Sequence, residues 1–182
     1  MRVITGEARG RKLKTLEGLD TRPTTDRVKE SIFNIIQFDV PGRRILDLFG
    51  GSGQMAIEAL SRGADSAVIV DASLAATKII TDNVKSCGFS DKAKVVCTDF
   101  ANYLTTCGET FDVIFLDPPY NGNFMNQAIN AICNIDILSD GGIIVCESMR
   151  ETVLPETNSP YIKGREYLYG KSKITVYRKE MR

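Results

Sequence analysis

The sequence predicts an α/β protein with a Rossmann-like, doubly wound and mostly parallel sheet. An antiparallel hairpin is expected at its carboxyl-terminal edge, and a basic hairpin plus one helix at its amino terminus. Three observations carry this reading. Short apolar runs of strand length alternate with stretches of helical spacing through the middle of the chain, the rhythm of consecutive βαβ units. A glycine-rich turn, Gly50-Gly51-Ser52-Gly53, joins the first such run to the first helix of the alternation. The tail then departs from the pattern and holds two strand-like runs around a single turn.

The elements follow in order. Arg2-Val3-Ile4-Thr5-Gly6 and Arg11-Lys12-Leu13-Lys14-Thr15 flank the turn-like Glu7-Ala8-Arg9-Gly10 and predict a short basic hairpin. Behind Arg22-Pro23-Thr24-Thr25-Asp26, residues Val28, Ile32, Ile35 and Ile36 recur at helical spacing, so a helix runs from about Thr25 to Gln37, entered through a Thr or Asp cap. Strand Arg44 to Phe49, helix Gln54 to Arg62, strand Ala67 to Val70 and helix Leu74 to Ser86 come next. The alternation continues with strand Lys94 to Cys97, a short helix at Ala101 to Leu104, strand Val113 to Leu116, helix Phe124 to Cys133 and strand Gly142 to Glu147. Tyr161 to Leu168 and Lys173 to Arg178, separated by Tyr169-Gly170-Lys171-Ser172, predict two antiparallel strands on the sheet edge.

A chain of 182 residues builds one substantial core, so residues 1–182 are expected to form a single domain, with residues 1–40 an extension and residues 41–182 the core. No apolar run reaches membrane-spanning length and the first residues hold no signal-peptide core, which makes the cytoplasm the expected location. The five cysteines, Cys87, Cys97, Cys107, Cys133 and Cys146, show no CxxC spacing and read as reduced structural thiols, with no metal centre expected. The absence of histidine removes the usual imidazole base and argues against His-dependent hydrolases and most zinc hydrolases. Chemistry here must need little proton transfer or must use carboxylates.

Net charge is zero, but the charges are segregated: residues 1–44 carry a net +4, residues 45–150 a net −7 and residues 151–182 a net +3. An acidic middle suits a cationic or hydroxyl-rich small molecule, and basic ends suit a polyanion such as RNA or DNA. Charge alone leaves an ordinary solvated surface equally open.

Two constellations carry the chemistry. The first is Asp117-Pro118-Pro119-Tyr120, which follows the apolar run Val113-Ile114-Phe115-Leu116. Two prolines remove two backbone donors and fix two φ angles, so the strand stops and Asp117 and Tyr120 stand on a stiff loop at its carboxyl end, the edge where open α/β sheets bind ligands. The plainer alternative is a Pro-Pro turn with a capping Asp and a packed Tyr.

The second is Ile45-Leu46-Asp47-Leu48-Phe49 with the glycine turn, where the backbone can approach a nucleotide-like ligand at a helix amino terminus. Asp71, at the end of the second core strand, can accept both hydroxyls of a ribose, and Asp99, after the third, can accept from an adenine amine. Asp47 precedes the glycines, where an anion repels a pyrophosphate but accepts from a cationic amino-acid group such as the methionine ammonium of S-adenosylmethionine. Helix-capping aspartates are the alternative for each acid taken singly.

These features resemble the class I S-adenosylmethionine-dependent methyltransferases that modify exocyclic amines. Three segments narrow the resemblance: Arg9-Gly10-Arg11-Lys12-Leu13, Arg22-Pro23-Thr24-Thr25-Asp26-Arg27-Val28-Lys29-Glu30 and Glu58-Ala59-Leu60-Ser61-Arg62-Gly63-Ala64. In wording and order they are similar to the RsmD family of bacterial 16S ribosomal RNA guanine-N2 methyltransferases, and the resemblance covers essentially the whole chain. It implies a catalytic set of Asp117, Pro118, Pro119 and Tyr120, and S-adenosylmethionine held by Asp47, Phe49, Gly50, Gly51, Gly53, Asp71, Ala72, Asp99 and Phe100. RNA is expected on Arg9, Arg11, Lys12, Arg22 and Arg27, with Arg62, Lys163 and Arg165 as secondary contacts. The implied partner is 16S ribosomal RNA within a small-subunit particle, and the implied state a monomer with no membrane contact. Gly50 departs from the family's usual alanine, a change expected to be mild. Asp71-Ala72-Ser73 departs from the Glu-x-Asp often found in that place, which bears on cofactor affinity.

Other classes stay open on the residues. Adenine-N6 methyltransferases of DNA or RNA share Asp-Pro-Pro-Tyr. A nicotinamide oxidoreductase would use the glycine turn but leaves Asp47 and Asp117 to Tyr120 without roles, and a non-catalytic RNA-binding module would use the basic hairpin alone.

Overall fold

A computed structural model describes residues 1–16, 24–120 and 122–181. The elements are α1 (Asp26–Ile35), β1 (Arg44–Asp47), α2 (Gln54–Ser61), β2 (Ser66–Asp71), α3 (Leu74–Ser86), β3 (Ala93–Cys97), α4 (Phe100–Thr106), β4 (Phe111–Leu116), α5 (Phe124–Ile135), β5 (Leu138–Met149), β6 (Tyr161–Tyr169) and β7 (Ser172–Lys179). They build one seven-stranded sheet in the order β3-β2-β1-β4-β5-β7-β6. The first five strands are parallel, and β7 and β6 add antiparallel at one edge, as the loss of alternation in the tail predicts.

Strand alternation divides the core into two layers. Ile45, Ala67, Ile69, Val113, Phe115, Ile143 and Val145 point to the face covered by α1, α2 and α3. Leu46, Val68, Val70, Ile114, Leu116, Ile144 and Cys146 point to the face covered by α4 and α5. Because both faces are buried, the central strands read as continuous apolar runs. Helix entries are set by side-chain caps: the Thr25, Ser73 and Asp99 side chains accept from the backbone amides of Val28, Ala76 and Asn102.

Several boundaries differ from expectation by a few residues, and three of them have a clear local cause. β1 ends at Asp47, two residues early, because Leu48 and Phe49 already turn toward the glycine loop. α4 spans Phe100–Thr106, longer than the four residues expected, since Asp99 caps it one turn ahead of the apolar pair Tyr103 and Leu104. β5 starts at Leu138, ahead of Gly141 and Gly142, because the strand passes through them at a register shift against β4 between Phe111 and Val113. A side chain at Gly142 would meet the Ser139 and Asp112 carbonyl oxygens at 2.8 and 2.9 Å, so glycine permits the close strand approach here.

The amino-terminal hairpin forms its turn but not two strands. It holds a single antiparallel bridge, Arg2 to Lys12, with the Val3 and Gly10 amides donating to the Arg11 and Val3 carbonyls. The Leu13 amide also crosses to the Met1 carbonyl, but four other amides bond to helix side chains: Ile4 and Thr5 to the two oxygens of Glu58, Ala8 to Ser61 Oγ, and Lys14 to Asn83 Oδ1. At Gly6, with φ +89°, an added Cβ would lie 1.7 Å from the Ser61 carbonyl oxygen, so the hairpin lies directly on α2.

Glu58 is the centre of this attachment. Its carboxylate is fully buried and accepts from Ile4, Thr5 and Arg62 Nε, at 2.8, 3.0 and 2.9 Å. The buried Lys29 ammonium of α1 stands 3.6 Å away and donates to the Arg2 carbonyl at 2.6 Å. Burial pulls the Lys29 pKa down, and the facing Glu58 acts against that pull. Removing one partner of such a pair strands the other charge in the core. Glu58→Ala should therefore cost about 3–5 kcal/mol of stability in urea unfolding, whereas a loss below about 1 kcal/mol would show that the hairpin and α1 are held by packing alone.

Candidate active site at the carboxyl ends of the parallel strands

The alternation that builds the core also gathers the acids. Asp47 ends β1, Asp71 ends β2, Asp117 follows β4 and Glu147 lies near the end of β5, and each shares parity with the residues facing α1, α2 and α3. Asp47 pairs with Phe115, two residues before Asp117, and Leu116 pairs with Cys146, just before Glu147. Four carboxylates from four strands thus stand on one side of the sheet at its carboxyl edge. Asp99 follows β3 at the same edge, where its carboxylate accepts from the Asn102 amide and side chain as the cap of α4.

Asp117 is partly buried, with Pro118 buried behind it and Pro119 and Tyr120 exposed. Tyr120 is 48% accessible, so its ring is presented to solvent beside Asp117. The hydroxyl of the buried Thr24 donates to Glu147 Oε2 at 2.7 Å and reaches Asp117 Oδ2 at 3.5 Å. Desolvation, then the charges of Glu147 and Asp47, push the Asp117 pKa well above the usual carboxylate range. Thr24 acts in the opposite direction.

Asp47 is 2% exposed, and burial, with the Asp71 charge adding to it, pushes its pKa up to about 7. The amides of Phe49 and Ala56 donate to it and offset part of that rise. Ala56 lies in the first turn of α2, whose N-cap, Gly53 at φ +78°, makes no side-chain capping bond, and the Ala56 amide is one of the two that ease the charge on Asp47. Asp71 accepts from the Gly51 amide through one oxygen and from Ser73 through the other, each at 2.8 Å, which binds the glycine loop to the end of β2. Each oxygen keeps a second lone pair for another donor. A side chain at Gly50 would come 2.6 Å from Ile69 Cγ2 and 2.8 Å from Ile80 Cδ1, so these two isoleucines occupy the space an alanine methyl would take.

Aromatic rings line the same edge. Phe49 and Phe100 pack at 5.3 Å between centroids, and Phe100 meets Phe124 edge-on at 5.8 Å. The edge therefore offers flat apolar rings, a carboxylate pair for hydroxyls or a cation, and a turn open to close approach. That set fits an adenosine carrying a cationic amino-acid portion better than it fits a pyrophosphate, which Asp47 and Asp71 would repel.

The basic residues are less uniform. Arg9, Arg11, Lys12 and Arg27 are exposed and form no ion pair among the described residues, while Arg22 lies outside the described residues. Arg62 is spent inside the protein: it bonds Glu58 and lies over the Phe33 ring at 4.7 Å, with its side chain 15% accessible, so it does not face a partner as the sequence reading had it. Lys163 is likewise turned inward to the Leu154 carbonyl and to Glu156. Arg165 stacks on Tyr167 and stays exposed.

Sequence reasoning missed Thr24, Glu147 and Asn83. Glu147 follows Ile143-Ile144-Val145-Cys146 just as Asp117 follows its own apolar run, and that parallel was the available signal. Nothing local marked Asn83, which is buried in α3 and bonds both the Lys14 backbone and the Ser52 carbonyl, joining the basic hairpin to the glycine loop.

Comparison with known proteins places the chain in a family. The profile of the family described as conserved hypothetical protein 95 matches residues 1–178. The chain is 41% identical over 182 residues to the "Putative rRNA methyltransferase YlbH" of Bacillus subtilis, covering 98% of this chain and 99% of that protein. It is 32% identical over 180 residues to "Ribosomal RNA small subunit methyltransferase D" of Escherichia coli, covering 99% and 90%. Among solved structures, the "Putative methyltransferase yhhF" of Escherichia coli superposes with a TM-score of 0.87 at 32% identity, over 100% of this chain and 99% of that one. A seven-stranded sheet with acids and a glycine turn at its carboxyl edge, matched over nearly its whole length, makes this chain a member of the conserved hypothetical protein 95 family, the RsmD family of S-adenosylmethionine-dependent methyltransferases.

Proposed function

We propose that this protein methylates the exocyclic N2 amine of a guanine in small-subunit (16S) ribosomal RNA, with S-adenosylmethionine as methyl donor. The observation that carries the reading is the exposed Tyr120 beside the half-buried Asp117, set on a proline-stiffened loop next to the glycine turn. The named relatives add support for the RNA class. The same reading takes residues 1–40 as an RNA-binding extension of a catalytic core formed by residues 41–182. It further takes the substrate as RNA within a small-subunit particle, met by a monomer in the cytoplasm. An oxidoreductase would leave Asp47 and the Asp117 to Tyr120 loop without work.

S-adenosylmethionine, when bound, supplies an electrophilic methyl group on a sulfonium. Gly51 and Gly53 would leave room for its close approach, Asp47 would meet the ammonium, and Asp71 would take the ribose hydroxyls. Phe49, Ala72 and Phe100 would flank the adenine, and Asp99 would accept from its amine. Tyr120 stacks on a guanine drawn out of its helix, and Asp117 with the Pro118 carbonyl accepts the two amine hydrogens. These acceptors aim the nitrogen lone pair and stabilise the positive charge that develops on it. Positioning does most of the work, so the lack of histidine is no obstacle. Arg9, Arg11, Lys12, Arg22 and Arg27 hold the phosphates.

Three measurements test this. Asp117→Ala should bind S-adenosylhomocysteine normally but lose about 100-fold or more in methyl transfer to unmodified small subunits; near-normal turnover would remove Asp117 from the site. Calorimetry with the same ligand tests Asp47. Its folded pKa lies above the ordinary carboxylate value, so the free protein loses stability as pH rises from about 4 to about 7. A bound cation favours the ionised form, so affinity should rise up to about tenfold between pH 6 and pH 8, and Asp47→Asn should weaken binding and flatten that dependence. Equal affinity at both pH values in the unmodified protein would exclude Asp47 as the cation's partner. Finally, joint replacement of Arg9, Arg11 and Lys12 by Ala should weaken RNA binding and reduce its salt slope by about three, and an unchanged slope would place the RNA elsewhere.

A further inference from the structure

We propose that Glu147 and Thr24 are positioning residues for Asp117: the Glu147 carboxylate, fixed by the Thr24 hydroxyl, makes Asp117 the acceptor for the proton that the guanine amine gives up. This rests on the methyltransferase reading above and assigns roles within that same site. The parallel pairing of Leu116 with Cys146 brings Asp117 and Glu147 off adjacent strands at one level and on one face. One hydroxyl reaches both acids, at 2.7 Å from Glu147 and 3.5 Å from Asp117. A hydroxyl has a single proton, so the shorter contact gives it to Glu147. Thr24 thus fixes the Glu147 carboxyl beside Asp117, while Asp117 receives little from Thr24 and is raised by burial and then by the Glu147 charge.

The surroundings favour a proton on Asp117. Apolar Ile32, Met55 and Phe115 wall the space between the two acids. The titratable groups facing Asp117 are Glu147 from β5 and Asp47 from β1, and among the described residues no cation makes an ion pair with it. The direction of the Asp117 pKa, raised first by burial and next by Glu147, agrees with this geometry.

The balance is simple. The amine nitrogen gains a methyl cation through its lone pair and must lose one proton to become neutral. That N–H bond breaks with its electron pair left on nitrogen, and an O–H bond forms on Asp117. Asp117 is partly exposed, so it returns the proton to water before the next cycle. Glu147 and Thr24 touch neither the base nor the methyl group in this scheme.

The test is the pH profile of single-turnover methylation of unmodified small subunits, with urea unfolding of the free protein alongside. Glu147→Gln removes the neighbouring charge at constant shape, so the acid limb should move down by about one pH unit. The same variant should gain more stability at pH 8 than at pH 5. Thr24→Val releases the Glu147 carboxyl from its place beside Asp117, so the limb should move down as it does in Glu147→Gln, and Thr24→Ser should restore it. An acid limb that stays in place in both Glu147→Gln and Thr24→Val would overturn the assignment, as would a stability gain independent of pH. Asp117→Ala in the same assay separates the two levels: if it turns over normally the methyltransferase reading of this loop fails, and if it is inactive while the Glu147 and Thr24 variants keep the original profile, only the present inference fails.

Discussion

The buried Glu58 carboxylate is the constraint on which the rest of the molecule turns. It collects two amides of the hairpin, the Arg62 guanidinium and the facing Lys29 ammonium, so three segments distant in sequence meet at one charge. The hairpin turns its Ile4 and Thr5 amides to this charge and not to its own second arm, and it holds one bridge where two strands were expected. Lys29 belongs to α1, and Thr25 caps that helix, so anchoring α1 also sets the position of Thr24 above Glu147 and Asp117. A polar contact on the far side of α2 thus fixes a hydroxyl in the proposed reaction site.

The second constraint is parity. With both faces of the sheet buried, alternate residues of every strand commit to one layer or the other. Asp47, Asp71, Asp117 and Glu147 all fall on the α1, α2 and α3 side, which is why acids from four strands concentrate at one edge. Such crowding costs stability, and the fold offsets part of it with backbone amides: Phe49 and Ala56 on Asp47, Gly51 and Ser73 on Asp71, Asn102 on Asp99. The capping and ligand-binding readings of these aspartates are therefore compatible. A carboxylate that already ends a helix or closes a loop is held in one orientation, and its second lone pairs remain for a ligand.

Much of this was legible in the chain. Apolar runs of strand length, helical spacings between them and the glycine turn gave the parallel sheet and its order of elements, since each signal is local and periodic. Asp117-Pro118-Pro119-Tyr120 announced itself because two prolines admit few conformations. Residues whose partners lie far away were not legible. Arg62 looked like one more surface cation, and only the packing of α1 against α2 turned it onto Glu58 and Phe33. The strand expected to start at Gly142 begins at Leu138, because the neighbouring backbone uses Gly142 for close approach.

The sequence by itself determined the sheet, the glycine turn, the proline-stiffened loop and the family, because these depend on period, backbone freedom and short motifs. Tertiary structure alone decided which acids share a face, which cations stay exposed and which hydroxyl joins two carboxylates. Those are matters of register between strands and of contacts across 123 residues in the case of Thr24 and Glu147, and no local pattern encodes them.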